Sequence, residues 1–187
     1  GTGCGGGVTF HQTVWRGKNA LAGEWGHNPL PWPNAAELDV TPCWCGQVGC
    51  IETWLSGPGL AQDHMRVTGE RLEPEALMEA MRTGHEAATQ SFTRYAHRLA
   101  RALAQVVNLL DPDVIVLGGG MSRVREIYDV VPALMASYTF TRPIHTPLVQ
   151  AKHGDSSGVR GAAWLCARGD GAPHLAPPAG IEPASSA

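Results

Sequence analysis

The sequence contains few charged residues, and its lysines and arginines form no cluster. Charged residues make up 17% of the 187 residues, and the formal net charge is −3. Proteins that bind nucleic acid or an anionic membrane surface usually present a basic patch, so we expect no partner of either kind. No apolar run reaches the roughly 18 residues that a membrane span needs, so the sequence predicts no membrane-spanning helix.

Two common nucleotide-binding motifs are also absent. No Gly-Lys-Ser or Gly-Lys-Thr occurs, which excludes a P-loop, and the glycines do not follow the order of a Rossmann fingerprint. Disorder of the whole chain is excluded as well, since 43% of the residues are hydrophobic and can form a sizeable core. The sequence opens on Gly1 inside a glycine loop rather than on methionine, so we expect an amino-terminal portion to be missing.

The apolar residues predict strands that alternate with helices, which is the pattern of an α/β fold. The strongest helical signal lies in residues 83–110, where apolar side chains recur every three or four positions. They are Phe92, Tyr95, Leu99, Leu103, Val106 and Leu110. After Asp111-Pro112-Asp113, Val114–Leu117 is wholly apolar and predicts a strand covered on both faces. Further strands are predicted at residues 8–10 and 147–152, and further helices at 58–65, 74–81 and 157–166 and from Ser122 as the N-cap.

The last part of the chain differs in character from the rest. Residues 167–187 contain four prolines and no apolar periodicity, so they are predicted to form a disordered tail. Residues 1–166 are expected to form one folded lobe.

Three of the five cysteines lie within eight residues, at Cys43, Cys45 and Cys50. Three thiols this close can meet at one ion only if the backbone turns sharply, and Gly46 and Gly49 permit such turns. Zinc prefers four tetrahedral sulfur and nitrogen ligands, and His27 is the natural fourth. The alternative is three buried structural cysteines without metal. A thiol cluster also favours a reducing compartment, so we expect a cytoplasmic protein.

Two glutamates flank this candidate zinc site in the sequence. Glu24 lies three residues before His27, and Glu52 lies two residues after Cys50. Two carboxylates and an imidazole around one pocket would accept hydrogen bonds from vicinal hydroxyls, and such a site rejects analogues that lack them. The alternative is that both glutamates are ordinary solvated surface residues.

Two glycine segments are candidates for contact with a nucleotide. The first has free backbone amides that can surround phosphate oxygens, and it comprises Gly1, Thr2, Gly3, Cys4, Gly5, Gly6, Gly7 and the following Val8. The second, Gly118, Gly119 and Gly120, follows a predicted strand and precedes a predicted helix. Taken singly, each segment can equally be a plain turn.

Taken together and in this order, these motifs resemble the ROK family of bacterial sugar kinases and repressors. The resemblance is carried by the first glycine loop, by Glu24-x-Gly26-His27, by the cysteine motif through Glu52, and by Val116–Gly120. Within the family, residues 22–32 and 152–163 look most like fructokinases. The family implies an actin-like ATPase (ribonuclease H-like) fold, a structural zinc, ATP with magnesium, and a homodimer.

The resemblance also implies a role for each motif. His27 would bind zinc through one ring nitrogen and face the sugar with the other, while Glu24 and Glu52 hold sugar hydroxyls. The catalytic base and the first phosphate loop of the family are absent and are expected upstream of Gly1, so this chain alone is expected to be inactive. The expected function of the parent protein is ATP-dependent phosphorylation of a hexose, with fructose, converted to fructose 6-phosphate, as the first candidate. The alternatives are a sugar-sensing repressor and a zinc-stabilised domain without a ligand.

Overall fold

The computed structural model describes residues 2–11, 13–38, 42–158 and 160, and this part of the chain has an α/β fold. Its strands are β1 (Val8–Phe10), β2 (Thr13–Trp15), β3 (Ile115–Leu117) and β4 (Leu148–Gln150). Its α-helices are α1 (Glu52–Leu55), α2 (Gly57–Thr68), α3 (Pro74–Arg82), α4 (Glu86–Leu110) and α5 (Glu126–Met135). Short 3₁₀ turns occupy Trp25–His27, Ala35–Glu37, Gly120–Arg123 and Gly154–Ser156.

Helix α4 forms the centre of the core. It begins at an N-cap where the side chain of His85 accepts a hydrogen bond from the amide of Ala88, and it ends at Asp111 in the left-handed conformation. Helices α1, α2, α3 and α5 all pack against it. Its middle is buried on every side, as a helix surrounded by others must be, and small alanines such as Ala96, Ala100 and Ala104 let those neighbours approach.

The periodic face predicted for this helix is confirmed in its first turns and wrong in its last. Phe92, Tyr95, Leu99 and Leu103 are buried. In the last turns Val107 is buried in place of Val106, and Leu110 is exposed. The reason is that the helix is enclosed all round along its middle, so one continuous stripe does not describe its contacts.

The core also holds a set of paired charges that the sequence analysis did not predict. Glu37 accepts hydrogen bonds from Arg98 Nε at 2.7 Å and from Arg101 Nη2 at 2.9 Å, and all three side chains are nearly inaccessible to solvent. Arg98 also lies 3.1 Å from Asp63 and stacks over the ring of Trp54 at 4.1 Å. Because Glu37 belongs to the loop between His27 and Cys43, this network ties that loop to α4.

A smaller unit is formed by β3, α5 and β4. The two strands pair in parallel, with Ile115 opposite Leu148 and Leu117 opposite Gln150, which confirms both predicted strands. The prediction that β3 is covered on both faces is wrong. Ile115 and Leu117 turn towards the core, whereas Val116 between them is 55% exposed. Within the described residues, β3 pairs with β4 alone, and the side chains on one face only are covered.

Some expectations about helices and ends are corrected or lie outside the description. The helix expected from Ser122 begins at Glu126 instead, because Ser122 turns its hydroxyl back to the carbonyl of Gly119 at 2.7 Å within a 3₁₀ turn. The predicted tail, 167–187, and most of the predicted helix at 157–166 lie outside the described residues. Among the helices described, none is both long and apolar enough to cross a membrane.

Candidate functional site

The backbone brings His27 and Cys50 together by pairing two distant segments. The amide of Leu30 donates to the carbonyl of Gly49 at 2.9 Å, and the amide of Ile51 donates to the carbonyl of Asn28 at 2.9 Å. This pairing places the end of the cysteine motif beside the 3₁₀ turn that carries His27. The loop between the two segments is held on α4 by Glu37, so both ends of the motif are fixed.

Within the motif, a tight turn folds the cysteines towards one another. The amide of Cys43 donates to the carbonyl of Gln47 at 2.8 Å, and the amide of Gly46 donates to the carbonyl of Cys43 at 3.0 Å. Gly46 and Gly49 have φ angles of 88° and 76°, a region that residues with a Cβ atom avoid. The predicted glycine turns are therefore confirmed.

Replacing Gly46 by alanine is expected to lower the free energy of unfolding by about 1–2 kcal/mol while zinc binding persists, because the left-handed conformation strains an L-residue by that amount. A Cβ atom at Gly46 would meet no atom of the described residues within 4 Å, so the expected effect is conformational. Gly120→Ala is the matched control, since Gly120 has equally open space and no left-handed φ. Equal urea midpoints for the two variants would contradict the expectation.

The four candidate metal ligands meet at one point. One donor atom from each of His27, Cys43, Cys45 and Cys50 lies within 4.8 Å of all the others. His27 Nδ1 is 3.5 Å from Cys43 Sγ, and the sulfurs of Cys45 and Cys50 are 3.7 Å apart. A tetrahedral zinc with ordinary bond lengths separates sulfur from nitrogen by about 3.6 Å and two sulfurs by about 3.8 Å. The geometry and the chemistry of these donors therefore fit zinc.

The thiols of the cluster differ in acidity. A hydrogen bond from the backbone amide of Gln47 is the main cause that lowers the pKa of Cys45 to about 7. Burial is the main cause that raises the pKa of Cys50 to about 12, with the neighbouring Cys45 and Cys43 thiols adding to it. A metal cation ligates thiolates and removes the penalty of burying their charge, which is a further reason why this set of donors suits a cation.

Glu52 lies against this cluster and is held by two donors. The backbone amide of Cys4 donates to its Oε2 at 3.0 Å, and the indole Nε1 of Trp44 donates to its Oε1 at 2.9 Å. The sulfur of Cys43 is 3.9 Å from the same Oε1. Glu24, in contrast, is exposed, and its side chain makes no hydrogen bond or ion pair with any residue the structure describes.

The first glycine loop packs against the segment that leads to His27. A Cβ atom on Gly26 would lie 1.7 Å from the carbonyl oxygen of Cys4, and one on Gly23 would lie 2.5 Å from that of Gly6. A Cβ atom on Gly3 would lie 2.5 Å from Glu52 Oε2. These glycines therefore serve close packing of two backbones, in addition to any role as free amides. Gly1 lies outside the described residues.

The second glycine segment lies in the open loop after β3. The amide of Gly119 donates to the carbonyl of Gly154 at 3.3 Å, and its φ is 80°. Among the residues that the structure describes, a Cβ atom at Gly120 would meet nothing within 4 Å, whereas Gly118 faces Ala151 and Gly154. The surface at Gly120 is thus free to receive a ligand close to the backbone.

A sequence model of the ROK family matches residues 1–168. The chain belongs to the ROK family. The expected family resemblance is confirmed, and the match ends at residue 168, two residues into the predicted tail.

Comparison with individual ROK proteins gives the extent of the similarity. The chain is 38% identical over 169 residues to an N-acetyl-D-glucosamine kinase of Photobacterium profundum, covering 88% of this chain and 56% of that protein. A ROK family glucokinase from Streptomyces griseus, solved in complex with glucose and AMPPNP, superposes with a TM-score of 0.75 at 28% identity, covering 88% of this chain and 57% of that one. A ROK hexokinase from Thermus thermophilus gives a TM-score of 0.73 at 29% identity, covering 88% and 54%. The chain thus spans about half the length of the relatives it matches.

The structure assembles most of the ROK motifs that the sequence analysis singled out. His27, the three cysteines and Glu52 form one cluster, and Cys4 joins the glycine loop to it through Glu52. Sequence reasoning missed Trp44, although it lies between two of the cysteines. The only signal in the sequence was that position.

Proposed function

We propose that the protein of which this chain forms part phosphorylates a hexose or an N-acetylhexosamine with ATP. The observation that carries the proposal is the direct contact between the metal-ligand cluster and the carboxylate of Glu52. A rigid acceptor beside an imidazole suits the hydroxyls of a sugar, and the similarity to ROK kinases supports phosphoryl transfer. We propose that the described α/β lobe is one half of an actin-like ATPase architecture.

Zinc is proposed as a structural ion at His27, Cys43, Cys45 and Cys50. The ion would neutralise the thiolates and hold the loop between Gly23 and Glu52 in one conformation. His27 presents Nδ1 to the cluster, so its Nε2 remains available for a hydrogen bond with a sugar hydroxyl. A hydrogen bond at the second ring nitrogen fixes the tautomer and orientation of a metal-bound imidazole.

The remaining residues are assigned by their position around this centre. Glu52 would accept hydrogen bonds from sugar hydroxyls. Glu24, in the segment before His27, would do the same. The amides of residues 2–7 and 118–120 would line the phosphates and adenosine of ATP, whose magnesium would neutralise charge on the transferred group. From the resemblance to the ROK family, we propose that the catalytic base lies upstream of Gly1.

The finer proposals concern the identity of the sugar, the repressor alternative, the location and the homodimer. Fructose finds no support in the names of the relatives, which are kinases of N-acetylglucosamine and glucose or a hexokinase, so these aldoses come first among the sugars to test. The repressor alternative is not favoured for the same reason. A cytoplasmic location suits a protein that uses ATP and metal-bound thiolates, and a homodimer is suggested only by the family resemblance.

The test is a coupled assay of ADP release with glucose, N-acetylglucosamine, mannose and fructose, using the full-length gene product. Glu52→Gln is expected to lower kcat/KM for the preferred sugar by about 10- to 100-fold, since a charge-assisted hydrogen bond contributes roughly 1.5–3 kcal/mol. Zinc content should not change. Glu24→Gln is expected to lower kcat/KM as well. Glu126→Gln is the control, because Glu126 pairs with Arg82 and not with the candidate site. Turnover of no sugar by the wild-type protein, or unchanged kinetics in both site variants, would contradict the proposal.

A further inference from the structure

Trp44 is a large apolar side chain held in the open beside the candidate sugar site. It lies between the metal ligands Cys43 and Cys45 and is 81% exposed. Its backbone is not free, because the turn closed by the hydrogen bond from Gly46 to Cys43 encloses it. The ring is therefore not part of the described core, and its faces are open to a ligand.

Two contacts orient the indole. Its Nε1 donates to Glu52 Oε1 at 2.9 Å, and its ring meets the imidazole of His27 edge to face, with centroids 5.0 Å apart and planes at 88°. The polar edge of the ring is therefore turned towards Glu52, while most of its apolar surface stays open to solvent. Both neighbours are groups to which the proposed function assigns sugar contacts.

The chemistry of a hexose suits this pairing of a carboxylate and an exposed ring. A pyranose presents hydroxyls around its rim and C–H groups on its faces, and an N-acetyl group adds a methyl. Ligand sites combine an apolar wall with a few oriented polar groups, and tryptophan offers a rigid wall with one polar handle. We propose that Trp44 positions the sugar and helps to determine which sugar binds: its N–H holds Glu52, and its ring packs on the C–H face or the N-acetyl methyl.

The geometry of Glu52 supports the first part of this role. A carboxylate offers about four acceptor positions, and the Cys4 amide and Trp44 occupy one on each oxygen. Acceptor capacity therefore remains on both oxygens for sugar hydroxyls. Because the carboxylate is already oriented, less conformational freedom is lost when a sugar binds. The inference rests on the proposed function, since it concerns the same site.

The first experiment follows the tryptophan fluorescence of the full-length gene product as N-acetylglucosamine or glucose is added. We expect sugar to shift the emission of the wild-type protein and of Trp15→Phe, a control at an exposed indole on β2. The shift should be absent in Trp44→Phe, although that variant keeps its zinc. A sugar-dependent shift that persists undiminished in Trp44→Phe would overturn the inference, whereas a wild-type protein that binds no sugar would overturn the proposed function itself.

The second experiment separates the ring from its N–H by steady-state kinetics. Trp44→Ala is expected to raise the KM for the sugar at least tenfold with kcat changed by less than about threefold, and Trp44→Phe to raise it severalfold because Glu52 loses a donor. Phe140→Ala, at a 95% exposed side chain elsewhere, should leave KM unchanged. If Trp44→Ala loses zinc, the KM of zinc-loaded Trp44→Phe is the measurement that tests the inference. An unchanged KM in a zinc-loaded Trp44→Phe protein contradicts the role of the N–H, and an unchanged KM in a zinc-loaded Trp44→Ala protein overturns the whole inference.

Discussion

Serine in place of Cys45 is expected to release the metal and to unfold the loop between His27 and Glu52. The cysteine side chain is exposed, so the substitution removes almost no packing, and any large effect must come from the metal. Serine is a poor ligand for zinc at neutral pH, because its hydroxyl stays protonated. Structural zinc sites in small domains contribute roughly 10–16 kcal/mol of apparent binding energy at pH 7. Losing even part of this would make the loop unstable.

The measurement is zinc per protein by elemental analysis after dialysis, together with the melting temperature. We expect close to one zinc in the wild-type protein, very little in Cys45→Ser, and a large fall in melting temperature. Cys4→Ser is the matched control. Burial and the neighbouring Glu52 raise the pKa of the Cys4 thiol to about 12, and Cys4 is outside the ligand cluster. Wild-type protein that is folded and free of zinc would refute the site.

Glu37→Gln is the second substitution expected to have a large effect. It removes the carboxylate between Arg98 and Arg101, which are 2% and 6% exposed, and leaves two buried cations with weaker partners. Breaking a buried ion pair from one side typically costs about 3–5 kcal/mol. The matched control is Glu126→Gln. Its partner Arg82 is 42% exposed, and a surface pair of this kind contributes about 0–1 kcal/mol.

The pH dependence of stability tests the same network. Burial raises the pKa of Glu37, but hydrogen bonds from Arg98, from the amide of Asn34 and from Arg101 outweigh it, so the net pKa is lowered. A carboxyl whose folded pKa is lowered stabilises the fold above its unfolded value, here 4.5, and this stability is lost as pH falls through the folded pKa. Wild-type protein should therefore lose stability more steeply than Glu37→Gln below about pH 5, by at most about 1.4 kcal/mol per pH unit.

Other acid-sensitive groups are present in both proteins. Protonation of the candidate metal ligands would release a bound zinc at low pH in both proteins. The pKa of Asp63 is lowered in the same way as that of Glu37: burial raises it, and Arg98, Arg94 and Arg66 outweigh that rise. Asp63 shares Arg98 with Glu37, so the difference between the two slopes reports the network of Glu37, Arg98 and Asp63 together. Urea unfolding at several pH values between 7 and 3.5 gives the two slopes. Parallel slopes would mean that Glu37 binds its proton equally well in the folded and unfolded chains.

The sequence predicted well the features that depend on short spacing. The cysteine cluster was predicted because the three thiols lie two and five residues apart and both glycines between Cys45 and Cys50 permit the turns that bring them together. Helix α4 was predicted because its apolar side chains recur with helical periodicity. The helices α2 and α3 were also located to within a few residues.

Features that depend on distant partners were missed or predicted wrongly. Arg98 and Arg101 belong to a residue type that usually faces solvent. Their burial depends on distant partners, above all Glu37 from a loop about sixty positions earlier. Strand β2 is short and exposed, so it left no apolar signal. The apolar run at Val114–Leu117 predicted a strand correctly but could not show which of its faces would be covered.

The two hydrogen bonds on Glu52 have a consequence for how the two proposed ligands influence each other. One oxygen holds the amide of Cys4 in the glycine loop, and the other faces the site assigned to sugar. A sugar that binds this carboxylate would change the affinity of the glycine loop for a nucleotide. A nucleotide bound by that loop must then change the affinity for sugar by the same factor. Linkage of this kind is reciprocal. The sugar affinity measured with and without a nonhydrolysable nucleotide, in wild-type protein and in Glu52→Gln, therefore gives a single coupling free energy that this carboxylate transmits.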